Sequence, residues 1–271
     1  MGGQILMKSK YQRIIEFLKD YQLKTNVKGY VIGISGGKDS TIVAKLLVDA
    51  IGSDKVLGVL MPNGKQSDLS DSIEVCKLLN IDYQIVNIKQ SYDAIINQIE
   101  DCISGLFPGD YVQKAVTEVD NDTYYVTKQA KTNIAPRLRM TTLYAIAQSL
   151  GYRVAGTSNY SEHYIGWCTK WGDMACDINS IAHLTCTEVV ALGDYLKLPE
   201  HLVHKIPADG LTDKSDEDNF GFTYSELDQF LTKGESNVDV SIASKIIKMH
   251  DRSTHKDNVI NIENYGLRKL E

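Results

Sequence analysis

A chain of 271 residues, 43% hydrophobic and 24% charged with only 5 Pro and 20 Gly, has the make-up of a folded protein that buries a core without disulfide or metal staples. Its net charge of −6, from 29 Lys+Arg against 35 Asp+Glu, advertises no nucleic-acid or anionic-membrane partner, so an anionic ligand has to be held locally. No apolar run approaches a membrane span or a secretion signal, and Cys76, Cys102, Cys168, Cys176 and Cys186 form an odd set without a CxxC pair, which points to reduced thiols in the cytoplasm.

Tyr11, Ile14, Ile15 and Leu18 have the spacing of an amphipathic helix. The apolar run Tyr30 to Ile34 predicts a strand that stops at Ser35-Gly36-Gly37, and Ile42 to Ile51 predicts the helix behind it. Val56 to Leu60 and Tyr83 to Ile88 read as strands separated by a helix over Leu69 to Leu79. A helix is expected over Tyr92 to Ser104, then a polar excursion from Pro108 to Lys131, and then a helix from about Thr132 to Leu150 with Pro136 in its first turn. Arg153 to Thr157 is a fourth strand. Ser158 to Ile181 has no period yet is rich in Trp, Tyr, Lys, Asp and Cys, the composition of a working loop. Helices are expected over Leu184 to Leu196, Glu226 to Leu231 and Ile242 to Met249, with a loop from Lys205 to Gly221 whose Asp216-Glu217-Asp218 reads as solvated surface. Strands alternating with helices imply an α/β fold: a doubly wound parallel sheet with helices on both faces, in three α/β/α layers, treated as a single domain over 1–271.

The chemistry starts at Gly33-Ile34-Ser35-Gly36-Gly37-Lys38-Asp39-Ser40. A glycine turn between a strand and a helix presents backbone N–H groups and a helix N-terminus to an anion, and phosphate is the natural occupant. It is not a Walker A loop, because Asp39 separates Lys38 from Ser40, nor is it a Rossmann GxGxxG.

Ser-Gly-Gly-x-Asp-Ser resembles the pyrophosphate loop of the N-type ATP pyrophosphatases, whose fold is of the adenine nucleotide α-hydrolase type. Asn133-x-x-x-Arg137-Leu138-Arg139-Met140, Gly156-Thr157-x-Asn159-x-Ser161-Glu162, Thr169-Lys170-x-Gly172-Asp173, Asp177 and His255-Lys256 resemble, in order and spacing, the ammonia-dependent NAD synthetases. That resemblance implies an AMP-forming carbon–nitrogen ligase in which deamido-NAD is adenylated by ATP and the adenylate is converted to NAD by ammonia. It implies that Gly33 to Ser40 and Thr157 bind ATP, that Asp39 and Glu162 hold Mg²⁺, and that Arg137, Lys170, Asp177, His255 and Lys256 bind deamido-NAD. Asp173, with Lys170, would serve the amidation step as the carboxylate that receives ammonium. It further implies a homodimer with sites at the interface, the C-terminal helices completing them, and a nitrogen supply from free ammonia or a separate glutaminase.

The sequence departs from the family where a phosphate-contacting lysine is replaced by Cys186, where a hydroxyl residue is replaced by Ala208, and where Gly-Gly after the ammonium-site aspartate has become Met174-Ala175. These changes leave open a divergent paralogue, either an adenylate-forming ligase for another carboxylate or a non-catalytic nucleotide-binding dimer. A zinc site from His163, Cys168, Cys176, His183 and Cys186 is a weaker alternative, since the spacing lacks paired ligands.

Overall fold

Tyr30–Gly33 (β1) is built from β-branched and aromatic residues, and its alternate side chains are buried on opposite faces, so this strand has to lie at the centre of a covered sheet. The computed structural model describes residues 2–66, 68–106, 126–205 and 215–257. It places β1 between Val56–Leu60 (β2) and Arg153–Gly156 (β4), with Tyr30 in register with Val56 on one side and Arg153 on the other. Asp82–Ile85 (β3) and Ile178–Asn179 (β5) form the edges, giving a fully parallel sheet of order β3-β2-β1-β4-β5. β3 is largely exposed, as an edge strand hydrogen-bonded on one side only.

Helices Gly2–Thr25 (α1), Lys38–Ile51 (α2), Leu69–Leu78 (α3) and Cys186–Tyr195 (α7) cover one face, where Leu18, Ile42, Leu46, Val75 and Leu192 pack with Tyr30, Ile32 and Leu60. Helices Lys89–Leu106 (α4) and Lys128–Leu150 (α5) cover the other, with Ala135, Leu143 and Ala147 against Val31, Val59 and Val154. The three layers are those expected from the sequence. The sheet order reverses between β1 and β4, and ligands of such sheets bind in the crevice outside the strands' carboxyl ends at that switch point.

α5 begins earlier than its periodicity implied: Thr127 caps it by accepting from the Ala130 N–H at 3.2 Å, so Pro136 lies in the interior rather than the first turn. Residues 107–125 of the expected excursion lie outside the described residues. Over the carboxyl ends of the strands sits a third apolar cluster, formed by Tyr160–Tyr164 (α6), Asp216–Phe220 (α9), Tyr224–Lys233 (α10) and Val240–Ser253 (α11), in which Ile165, Cys186, Phe220, Phe222, Leu227 and Ile246 pack together. A short helix, Glu200–Val203 (α8), follows α7 and buries Leu202 in the first core cluster. Among the described residues no helix is long and apolar enough to cross a membrane.

Candidate active site

The β1–α2 turn is held open by its own side chains. Gly36 has φ +75°, a conformation that an L side chain resists, and this lets the chain reverse into α2. Ser35 Oγ accepts from the Gly37 N–H at 3.2 Å, and Ser40 Oγ accepts from the Ser35 N–H at 3.3 Å. At the start of α2 the N-cap is Gly37, which offers no side-chain bond. By contrast α6, α7, α9 and α10 all carry reciprocal capping boxes, through Asn159, Thr185, Ser215 and Thr223. The first-turn N–H groups of a helix have no intrahelical partner, so α2 leaves its donors for an outside anion.

Behind this turn lies a compact charged group. The Asn159 side chain, fully buried, donates from Nδ2 to Asp39 Oδ1 at 3.0 Å, while its Oδ1 accepts from the Glu162 N–H at 3.0 Å. One amide therefore ties the Asp39 carboxylate to the backbone of Glu162, whose own carboxylate accepts from the Asn159 N–H at 3.4 Å. Lys38 is 5% exposed; its Nζ donates to Asp39 Oδ2 at 2.8 Å and lies 5.7 Å from the centre of the Tyr224 ring. Burial opposes the Lys38 charge, but its neighbours, Asp39 foremost, outweigh it and hold the ammonium above its ordinary pKa. Desolvation, and next the neighbouring Asp39 charge, push the Glu162 carboxyl up to about 8. Two hard oxygen donors, one of them a carboxyl kept from ionising by burial and by its acidic neighbour, fit a divalent cation that would restore the charge balance and take its remaining ligands from phosphate and water. Among the described residues no three His, Cys, Asp or Glu side chains gather in a metal-holding group, which leaves the zinc alternative without a site.

A cavity of about 1450 Å³ opens at the switch point. Gly33, Ile34 and Ser35 line it from β1, Gly156 and Thr157 from β4, and Glu162 and Asp216 from the overlying cluster. Its far wall carries Arg137, Lys170, Asp173, His255 and Lys256. Such a volume exceeds the roughly 300–1,000 Å³ of a site for one small ligand. The loop bearing Asp173 is built by cross-links that leave no sequence period. Asp173 Oδ1 accepts from the Thr169 N–H at 2.8 Å, Thr169 Oγ1 donates to Asn133 Oδ1 at 2.7 Å, and Arg137 Nε donates to the Lys170 carbonyl at 3.2 Å. Lys170 Nζ reaches the His255 carbonyl, and Lys256 Nζ donates to the carbonyls of Gly166 at 2.6 Å and Cys168 at 2.7 Å. Protein on most sides raises the Asp173 carboxyl above the usual carboxylate range.

The sequence-derived residues divide into two groups. Gly33, Ile34, Ser35, Thr157, Glu162, Arg137, Lys170, Asp173, His255 and Lys256 share the cavity wall; Gly36, Gly37, Lys38, Asp39 and Ser40 form the turn and the charged group behind it. Asp177 is outside the wall, its Oδ2 accepting from the Val154 N–H at 2.8 Å beside the sheet. Asp216 corrects the reading of its acidic run as solvated surface: it is 6% exposed, lines the cavity and accepts from the Tyr224 hydroxyl at 3.2 Å. Only Glu217 and Asp218 behave as helix-start acids, one accepting from the Tyr224 N–H and the other from Ser215. Cys186 is buried in the apolar cluster with its thiol pushed up to about 12 by burial, so the position supplies packing and no charge. Ala208 lies outside the described residues. Asn159 and Arg139 were visible only as members of motifs, because sequence spacing cannot say which polar residue of a motif faces inward.

A family model described as NAD synthase matches residues 10–260. An NH(3)-dependent NAD(+) synthetase of Carboxydothermus hydrogenoformans is 34% identical over 252 residues, covering 92% of this chain and 95% of that protein. The chain belongs to the NAD synthase family. Solved structures agree: NMN synthetase from Francisella tularensis superposes with a TM-score of 0.78 at 32% identity, covering 94% of this chain and 97% of that one. NH3-dependent NAD synthetase from Campylobacter jejuni gives 0.74 at 27%, covering 94% and 98%. Membership of the NAD synthase family accounts for the parallel sheet and for the serine-glycine turn at its switch point.

Proposed function

We propose that this chain is an ammonia-dependent NAD synthetase: ATP adenylates the carboxylate of deamido-NAD, and ammonia converts the adenylate to the amide of NAD with release of AMP. The observation that carries the reading is the cavity joining Gly33, Ile34 and Ser35, the turn that leads into an uncapped helix, at one end to Asp173 and four cationic or imidazole side chains at the other. A carboxylate is a poor electrophile until a phosphate is attached, so both halves of the site have to open onto one space. In the first step a carboxylate oxygen forms a bond to the α-phosphorus while the bond to pyrophosphate breaks. The N–H groups of the turn from Gly33 to Ser40 take up the departing charge, and Thr157 borders the nucleotide. Asp39 and Glu162 would hold Mg²⁺, which when bound neutralises phosphate charge. Asn159 holds the Asp39 carboxylate with its side-chain amide and the Glu162 carboxylate with its backbone N–H, and Lys38 balances them from behind.

In the second step ammonium docks on Asp173 and gives up a proton to the carboxylate or to water; the ammonia nitrogen attacks the acyl carbon, and the adduct loses a second proton to water as AMP leaves. Arg137, Lys170, His255 and Lys256 would grip the anionic dinucleotide, with Asp177 contributing from beside the sheet. The whole chain, 1–271, acts as one synthetase unit in the cytoplasm. It works as a homodimer with its sites at the interface and the C-terminal helices completing them, with nitrogen from free ammonia or a separate glutaminase.

A second acceptor is favoured by one finding: the superposition on the Francisella NMN synthetase is better than that on the Campylobacter NAD synthetase. Nicotinate mononucleotide carries the same pyridine carboxylate, so the chemistry is unchanged and only the far end of the ligand differs. Incubation with ATP, Mg²⁺, ammonium and either acceptor decides between them. NAD and AMP in equal amounts from deamido-NAD, at the higher kcat/KM, supports the main reading; preferential NMN formation replaces it, and no AMP from either acceptor overturns both.

A further inference from the structure

Arg139 has no role in the scheme above, yet it is built into the cavity. It lies two positions after Arg137 on α5, and two helical positions are about 200° apart, so the two side chains leave the helix in nearly opposite directions. Arg137 is exposed, whereas Arg139 is partly buried and lines the cavity near the end of β2. Its Nε donates to the carbonyl of Met61 at 3.1 Å, and Met61 follows directly on β2. That bond fixes the plane of the guanidinium and leaves the paired Nη groups as its outward edge. Among the described residues Arg139 makes no other hydrogen bond and no ion pair. The two carboxylates that face it, Asp173 and Asp68, act on it only at longer range. Asp173 is engaged by the Thr169 N–H, and Asp68 lies 3.5 Å from Lys205.

A partly desolvated guanidinium with its forked edge unsatisfied calls for a planar anion with two oxygens, and an arginine stays charged even where burial lowers its pKa. Only one reacting group of the proposed substrates has that shape. A phosphate at the α position is tetrahedral and belongs at the uncapped start of α2, on the β1–β4 side of the crevice.

We infer that Arg139 binds the pyridine carboxylate of the acceptor, holding it in line for adenylation and then stabilising the carbonyl oxygen as it becomes an oxyanion under attack by ammonia. This rests on the synthetase reading of the same cavity. No proton moves to or from the guanidinium in either step. The electron pair of the carbonyl collects on the oxygen facing Nη, and returns when AMP departs. Asp173, which lines the same cavity, places the nucleophile on the opposite side of the acyl carbon from this donor edge. The acceptor carboxylate therefore lies between an arginine that reads its oxygens and an aspartate that presents nitrogen to its carbon.

The discriminating measurement is the ratio of affinities for deamido-NAD and NAD, which differ only in carboxylate against carboxamide, in the wild-type protein and in Arg139→Met and Arg139→Lys. The wild type is expected to favour the carboxylate. Arg139→Met is expected to weaken deamido-NAD binding by about 10- to 100-fold, the range for losing a charge-assisted bond, with NAD binding and the KM for ATP little changed. Arg139→Lys is expected to lose the same preference in smaller measure, since an ammonium cannot bridge both oxygens, and it carries the test should the methionine variant fail to fold. An unchanged ratio in the folded variants, or a loss confined to ATP affinity, overturns the assignment. Failure of the wild type to make NAD from deamido-NAD counts instead against the synthetase reading, so the two outcomes are separable.

Discussion

Replacing Gly36 by Ala tests the turn on which the site depends. Two costs add at this position. The residue has φ +75°, and an L side chain in the left-handed region costs about 1–2 kcal/mol. A Cβ there would also stand 2.8 Å from Asp71 Cβ and 3.0 Å from the Ser72 backbone nitrogen. Neither is the free end of a flexible chain, so α3 has to shift, and forced overpacking costs about 1–3 kcal/mol. The sum is about 2–5 kcal/mol, which at about 2–4 °C per kcal/mol lowers the thermal midpoint by about 4–20 °C. Gly64 supplies the control. It has φ +86° but its Cβ would meet only the Lys89 side chain, at 3.6 Å, so Gly64→Ala should show the backbone strain alone, about 2–8 °C. Differential scanning fluorimetry compares the two, and titration calorimetry with ATP should show a large loss of affinity only for Gly36→Ala. Equal midpoints for the two variants, or unaltered ATP binding by Gly36→Ala, would refute the packing of α3 against the turn.

Three further outcomes follow from named contacts. Asn159→Ala removes the amide that ties Asp39 to Glu162 and also the cap of α6; it should lose about 0.5–2 kcal/mol of stability and weaken Mg²⁺ binding about tenfold or more, and an unchanged Mg²⁺ titration would contradict the bridging role. The Lys205 ammonium, 2.7 Å from Asp71, holds that carboxyl below its ordinary 3.8. A depressed folded value means the contribution is present above the unfolded pKa and fades as pH falls through the folded one, so the urea midpoint of wild type should approach that of Asp71→Asn below about pH 4. A constant difference from pH 7 down to pH 3 would contradict it. Cys186→Lys should destabilise by several kcal/mol, because a second ammonium enters the buried region that already holds Lys38, and adding Lys38→Gln should recover part of the loss; chemical denaturation of the single and double variants checks this.

The legible part of this molecule was the part governed by period. β2 matches its expected span, and β1, α2, α3 and β4 differ by a few residues at their ends, because buried strands and one-sided helices write their packing into adjacent side chains. The serine-glycine turn was equally plain, since its geometry is local. What escaped was fixed by distant partners. β5 has two residues and exists only because it pairs with the end of β4, and α6 has five, started by the Asn159 capping box. The path from Gly166 to Asp173 is set by Lys256, about ninety positions later, donating to two of its carbonyls. Asp216 looked like solvent-facing charge because it stands in an acidic run of which Asp218 is exposed; its inward turn depends on Tyr224 and on the aromatic cluster of Phe220 and Phe222. Arg139 and Arg137 carry the same letter in one motif, and only the placement of α5 separates their directions.

The bare start of α2, without the side-chain lock that four other helices carry as a capping box, has a consequence for the protein at rest. An anion seated there completes the helix in the same sense that a serine completes its neighbours. Diphosphate is then both a product and a missing structural part, and its occupancy should stiffen the β1–α2 junction and resist departure. Turnover would be governed as much by how readily that borrowed part is given back as by the bond making that precedes it.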